Sequence, residues 1–391
     1  MATLPLSGIR ILDLSRVLAG PLAGMILGDL GADVIKVERP GAGDDTRGWG
    51  PPFDDRGQSA YFLSANRNKI GLAADLALPA DRTLLERLIA GADVVLENFK
   101  PGTLERRGMG AESMLARHSQ LIWCTITGFG PDSARPGYDF VVQAESGWMA
   151  VTGEVEGAPM KAGVALADVI AGKDAALVVL GALVGRARGH GAHAMGDVHG
   201  QPASRATQTI ADRRLGVSLL HSATAALVNV AQNALVSGRD AKRWGNAHPN
   251  LVPYELFEAA DRPMVIAVGS DAQFASCVRA LGLATLADDP SLATNAGRLA
   301  QRARVVGAIA ARLRTNVASY WLARFDEVGV PCGVVKPVLE ALEAIASSAL
   351  TGVAPQGPGA VRLPPPRLDE HGSLVRAEGW GAFESLPGLR A

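Results

Sequence analysis

Four short apolar runs in the first third of the chain leave it little choice of fold. They are IRILDLS (residues 9–15), DVIKVER (33–39), DVVLENF (93–99) and LIWCTITGFG (121–130). Runs of this length, apolar at successive positions, are strands buried on both faces. Helix-like stretches lie between them: Pro21 falls in a first helical turn, where its missing N–H costs nothing, and DRTLLERLIAGA (81–92) has helical spacing. Strands alternating with helices build a parallel sheet with right-handed crossovers. Such sheets hold ligands beyond the carboxyl ends of their strands. Those ends carry Ser15–Gly20, Arg39–Gly43, Asn98–Gly102 and Gly128–Pro131.

Further on, residues 172–188 read as a strongly apolar, buried helix, and 217–236 as another long one. Between them, 189–213 turns to Gly, His, Gln, Ser and Thr and loses its periodicity, so an irregular loop is expected there. Residues 255–330 alternate again and suit a smaller second domain. The tail from Ala354 is rich in Pro and Gly, with LPPPRL as an extended segment. At roughly 100–200 residues per domain, 391 residues suggest two domains. We expect a large domain over 1–216, with 335–391 packing back on it, and a linker helix with a small domain over 217–334.

A net charge of −1 without a long basic run argues against a nucleic-acid partner, so any anionic ligand must meet a local cluster of Arg and Lys. The apolar run from Ala175 to Val184 is about half of the ~20 residues that cross a bilayer, so no membrane partner is expected. Cys124, Cys277 and Cys332 form no CxxC pair, and no secretory leader opens the chain; a reduced, cytoplasmic protein is expected.

The tightest chemical fingerprints are absent. AGKD (171–174) resembles the end of a phosphate-binding loop, but Ala167 stands where that loop needs Gly and Asp174 where it needs Ser or Thr. GAGDDTRG and GMGAES do not complete G-x-G-x-x-G, which disfavours a dinucleotide oxidoreductase, and there is no G-x-S-x-G elbow. His190, His193 and His199 lie close in sequence without HExxH or paired cysteines, so no metal site is expected.

The blocks LSGIRILDLSRVLAGPLAGMILGDLGADVIKVERPGAGDDTRGWGPP, NRNKIGLAADL, ADVVLENFKPGTLERRGM, GYDFVVQAESGWMAVTGE, MKAGVALADVIAG, GNAHPNLVPYELF, GVPCGVV and PPPRLDEHG run in one order from about residue 6 to 372. In that order they closely resemble the CaiB/BaiF proteins, the family III CoA-transferases. The resemblance implies an α/β fold: a Rossmann-like large domain with a parallel sheet, a smaller α/β domain, and two chains interlocked as a homodimer. It implies transfer of CoA from an acyl-CoA to a carboxylic acid, both bound as substrates, with no permanently held cofactor. Succinyl-CoA is the donor suggested by dicarboxylate-specific members.

Residue by residue, Asp168 in ALADVIAG matches the aspartate that forms the acyl anhydride and the aspartyl-CoA thioester. Taken alone, an Asp here also suits the cap of the following helix. Arg39 and Arg106 match positions that contact CoA phosphates, a task suited to a planar guanidinium. Asn98, Phe99 and the backbone of Ala74 match the segments lining the nucleotide, and Val17 a residue beside the pantetheine arm. Tyr138 and Asp139 in PGYDF match the transferase branch; a branch that epimerises 2-methylacyl-CoA has His in place of Tyr, and Tyr is a poor base at neutral pH. Leu18 stands where formyl-CoA:oxalate enzymes have Gln, and GNAHPNLVPYELF where they have a glycine loop, so oxalate is not expected as substrate. Ala77 replaces a phosphate-holding lysine, with Arg47 and Lys69 as candidate substitutes, and His248 is a candidate for orienting an acceptor carboxylate. The alternatives are a 2-methylacyl-CoA racemase and a CoA-binding protein without catalysis.

Overall fold

The computed structural model describes residues 3–188 and 209–386. Most of the loop expected at 189–213 therefore lies outside the described residues; its last part, Ile210–Arg213, is one helical turn closed by a capping box between Thr209 and Asp212. The chain divides into two compact units. The first joins Met1–Met149, Lys161–Arg239 and Ile345–Ala391, and the second Ala150–Met160 and Asp240–Ala344. The first unit runs past the expected boundary at 216 because Leu219 and Ala223 are packed into its core, and it takes up the tail ten residues later than the expected 335.

The first unit is organised by a six-stranded sheet: β1 (Arg10–Asp13), β2 (Asp33–Glu38), β3 (Lys69–Ala73), β4 (Val94–Glu97), β5 (Ile122–Thr127) and β6 (Arg214–Ser218). The order is β3-β2-β1-β4-β5-β6 and every pairing is parallel. Successive residues of the strands enter opposite layers. Leu12, Ile35 and Val95 pack with the helices Pro79–Ala90 and Ala111–Arg117. Ile11, Val34 and Val94 pack with the helices Ala19–Asp29 and Leu166–Arg188. Both faces are buried, which is why these strands read as unbroken apolar runs.

Two strands escape that reading. β3 is KIGLA, with a lysine and a glycine inside it; Lys69 is fully buried because Asp13 of β1 and Asn66 accept from its ammonium at 2.8 and 2.9 Å. β6 opens what reads as a helix over 217–236. The structure resolves that stretch into the end of β6 and two helices, Leu219–Ala225 and Asn229–Ser237, bent by 76°. Val228 between them takes a left-handed φ of 43°, which no helix continues through.

Two features set the site. The helix Leu166–Arg188 lies close against Ala19–Asp29 because Gly172 has no side chain: a Cβ there would come within 2.6 Å of the Ala19 carbonyl oxygen. The tail binds along the β3 edge, with the Arg362 and Leu363 N–H groups donating to Asn68 Oδ1, and the Ala73 N–H to Asp369. An edge strand is thereby covered.

The second unit carries an antiparallel sheet of β7 (Tyr254–Glu258), β8 (Pro263–Ala267) and β9 (Cys332–Val334). Its core joins Phe257, Met264 and Ile266 to Phe274, Ile309, Trp321 and Phe325 from three helices. Within it, His248 Nδ1 accepts the Asn250 N–H at 3.0 Å, so that imidazole nitrogen serves a local turn.

Candidate active site

Strand order reverses between β1 and β4, where the loops that follow these strands diverge. In open parallel sheets that crevice is where ligands bind. A cavity of about 200 Å³ opens there, lined from the β1 loop by Arg16 and Val17, from the β4 loop by Asn98 and Phe99, and by Tyr138 and Asp168. Five residues that the sequence singled out thus meet at one place.

Asp168 sits in the first turn of Leu166–Arg188 and is 9% exposed. It does not cap its own helix. Asp139, from the start of the helix Asp139–Glu145, does so instead: its Oδ1 accepts the Ala167 N–H at 2.8 Å and the Asp168 N–H at 3.4 Å, while its Oδ2 accepts from Gln143 at 2.7 Å. The Asp168 carboxylate accepts no hydrogen bond from the described residues. Burial, reinforced by the like charge of Asp139, pushes its pKa up to about 7. The result is a desolvated carboxylate facing a cavity at the amino end of a 23-residue helix.

The β1 loop is held from below. Val17 has φ = 72°, a conformation that costs a β-branched residue free energy. Its N–H donates to both oxygens of Asp44, each at 3.2 Å. Asp44 is paired with Lys36 at 3.0 Å, both side chains fully buried, and the Lys36 ammonium also donates to the Ser15 carbonyl at 3.1 Å. Asn98 spends its amide on the same loop: Oδ1 accepts the Arg16 N–H at 3.0 Å, and Nδ2 donates to the Arg16 carbonyl at 2.8 Å.

Three further expected residues lie off the cavity. Arg39 follows β2, is largely exposed, and ion-pairs with Asp45. Ala74 follows β3, is buried, and donates its N–H to the Glu38 carbonyl at 2.8 Å. Arg106 is exposed on the 3₁₀ turn Glu105–Arg107. The candidate substitutes for the absent lysine do not serve: Lys69 is sealed in the core, and Arg47 is spent on Glu38 at 2.6 and 2.7 Å and on the Pro366 carbonyl.

The sequence reading passed over four residues. Arg16, Lys100 and Arg135 bring positive charge to the cavity lining. Tyr61 lies within electrostatic reach of Asp168 and Asp139; burial and those charges push its phenol up to about 12, so it remains a hydrogen-bond donor at neutral pH. It stands edge-on to Trp49 with ring centres 5.0 Å apart. Ser59, the helix cap two residues before Tyr61, is the local signal that fixes this turn.

Comparison with known proteins agrees with this geometry. The model of CoA-transferase family III matches residues 6–200 and 203–371, and the chain belongs to that family. It is 40% identical to the succinate–glutarate CoA-transferase of Agrobacterium fabrum over 96% of this chain and 95% of that one. It is also 40% identical to human succinyl-CoA:glutarate CoA-transferase, over 85% of this chain and 72% of the human one. The crystal structure of a CaiB/BaiF family protein from Brucella suis superposes with a TM-score of 0.80 at 38% identity, covering 96% of this chain and all of that one. The protein is thus an enzyme of the CoA-transferase class.

Proposed function

We propose that this enzyme moves CoA from a dicarboxylic acyl-CoA, with succinyl-CoA as donor, to a second carboxylic acid of glutarate size, through covalent intermediates on Asp168. The choice of acids rests on the names of the two relatives. The observation that carries the mechanism is the buried Asp168 carboxylate, free of hydrogen bonds from the described residues and open to the cavity.

An Asp168 oxygen attacks the donor thioester carbonyl; the C–S bond breaks, leaving a mixed anhydride and CoA thiolate. The thiolate attacks the aspartyl carbonyl and expels the donor acid, forming an aspartyl-CoA thioester. The acceptor carboxylate attacks that carbonyl, releases the thiolate and forms a second anhydride. Attack of the thiolate on the acceptor's acyl carbon yields the new acyl-CoA and restores Asp168. Each step exchanges one leaving group for another, as covalent catalysis requires. A carboxylate stripped of solvent is a stronger nucleophile than a hydrated one.

Incubation with succinyl-CoA followed by hydroxylamine should place a hydroxamate on the peptide containing Asp168, and Asp168→Asn should show none. An unmodified Asp168 in an enzyme that turns over would end the anhydride route. Exchange of the substrate α-proton with deuterated water would instead identify racemase chemistry; among the described residues no histidine lines the cavity to support it.

The homodimer belongs to the same proposal. Leu177 and Val178 on the long helix, and Leu235 and Val236 on the helix Asn229–Ser237, are apolar and exposed in the single chain. Light scattering at micromolar concentration should give twice the chain mass; a stable monomer would remove this part.

A further inference from the structure

The geometry points to Arg16 as a phosphate-binding residue for the CoA moiety, acting as a pair with Arg39, with Asp45 as the counter-anion that spans the pair until a phosphate arrives. The inference takes the identity of the anion from the CoA-transferase reading.

The backbone of Arg16 is fixed from both sides, its N–H and carbonyl by Asn98 and the next N–H by Asp44. The backbone is thereby held at the rim, and the side chain lines the cavity at the switch point. The guanidinium is nevertheless under-used. Its Nε is buried and makes no hydrogen bond, and of the buried side-chain atoms left so in the described residues it alone belongs to the lining of this cavity. Its ion pair is long, 3.5 Å from NH1 to Asp45 Oδ2, and the guanidinium carbon stands 5.9 Å from the centre of the Phe99 ring. A guanidinium with a buried, unpartnered Nε and only one long ion pair, on a side chain 39% exposed, has donor capacity left for an external anion.

Asp45 shows how the acceptor would be shared. Its Oδ1 meets Arg39 and its Oδ2 meets Arg16, so one carboxylate spans two guanidinium groups. Arg39 is oriented for this by its own Nε, which donates to the Gly43 carbonyl at 3.0 Å. A phosphate has more acceptor oxygens and more charge than a carboxylate and satisfies two guanidinium forks better. The other cations near the cavity are less suited. Arg135 is committed to Glu145 through both terminal nitrogens and lies 4.0 Å over Phe129, and Lys100 is exposed.

Binding and turnover of Arg16→Gln test the assignment, with calorimetry on CoA, 3′-dephospho-CoA and pantetheine beside steady-state kinetics on succinyl-CoA. We expect affinity for CoA to fall roughly tenfold or more, the scale of a lost hydrogen bond to a charged group. KM for succinyl-CoA should rise with kcat nearly unchanged, and pantetheine should bind both proteins alike. Whether the loss persists with 3′-dephospho-CoA tells the diphosphate from the 3′-phosphate. Asp45→Asn should tighten CoA binding. Unchanged CoA affinity in Arg16→Gln, an equal loss for pantetheine, or a fall in kcat alone would overturn the role of Arg16; weaker CoA binding in Asp45→Asn would overturn the counter-anion role. If the native enzyme binds CoA through Arg16 yet transfers it to no acid, the proposed function fails and the phosphate clamp stands.

Discussion

Asp44 and Asp168 are both aspartates buried beside the same crevice, and their surroundings send them in opposite directions. Burial alone would raise the Asp44 carboxyl, but the Lys36 charge and the hydrogen bonds of Thr46 and Lys36 bring it below the ordinary carboxylate range, and Lys36 is raised in turn. Asp168 has comparable burial, no ion-pair partner among the described residues and a second carboxylate as neighbour, and it rises to about 7. The first arrangement fixes a strained loop. The second keeps a carboxylate reactive at the expense of stability. Burial makes the partner decisive: the same side chain becomes a bolt or, in the proposed mechanism, a nucleophile according to which charge faces it.

The largest way to break the comparison is to neutralise each aspartate in turn. Asp168→Asn should cost roughly a thousandfold or more in kcat while leaving the fold intact, because the group proposed to form the intermediates is gone. Steady-state assays and near-UV circular dichroism on the same sample check both halves. Next in size, Lys36→Met strands the Asp44 carboxylate in the core and should lower stability by about 3–5 kcal/mol. Urea unfolding of this variant beside Lys36→Met/Asp44→Asn sharpens the point, since removing both charges should restore much of the loss.

A smaller effect has the opposite sign. The Asp168 carboxyl has a folded pKa of about 7 against the ordinary aspartate value of 3.8, so between those pH values the folded chain keeps a proton that the unfolded chain releases. Stability therefore falls as pH rises through that window, and the whole penalty is present above pH 7. Asp168→Asn should unfold later than the native enzyme at pH 8, by up to a few kcal/mol, and show little difference at pH 4. Equal melting temperatures at pH 8 would mean that Asp168 finds a counter-charge. The smallest effect belongs to Asp139→Asn. It keeps an oxygen for the helix N–H groups and removes the like charge, so the acid limb of kcat/KM should move down by about one pH unit or less. An upward shift would reverse the assigned role of Asp139.

How much of this was readable in the sequence depends on whether the cause is local. β1, β2, β4 and β5 were legible because burial on both faces writes itself into consecutive apolar residues. β3 was not, because Lys69 is admitted to the core by Asp13, 56 positions away in the chain. Gly71 adds to the disguise: the tail lies flush against it, and a Cβ there would stand 3.0 Å from the Arg367 carbonyl oxygen. Asp168 was legible through the ordered blocks around it. That Asp139 would cap its helix, that Asn98 would grip the Arg16 backbone, and that Tyr61 would come within electrostatic reach of Asp168 are matters of which loops converge, and no spacing records them. The bend at Val228 was equally hidden, since an apolar stretch reads as one helix until a residue leaves helical φ.

The covering of β3 by the tail has a consequence for how the protein is made. Asn68 waits for Arg362, Ala73 for Asp369 and Gly71 for His371, separations of 294, 296 and 300 residues. During synthesis the covering segment follows the outer strand of the large sheet by about 300 residues, so that edge stands open while the whole of the second unit is being made. At ~5–20 residues per second that interval is on the order of 15–60 seconds. Throughout it the bare edge of β3 is a template for another strand, and residues 362–371 act as the closure that ends the exposure.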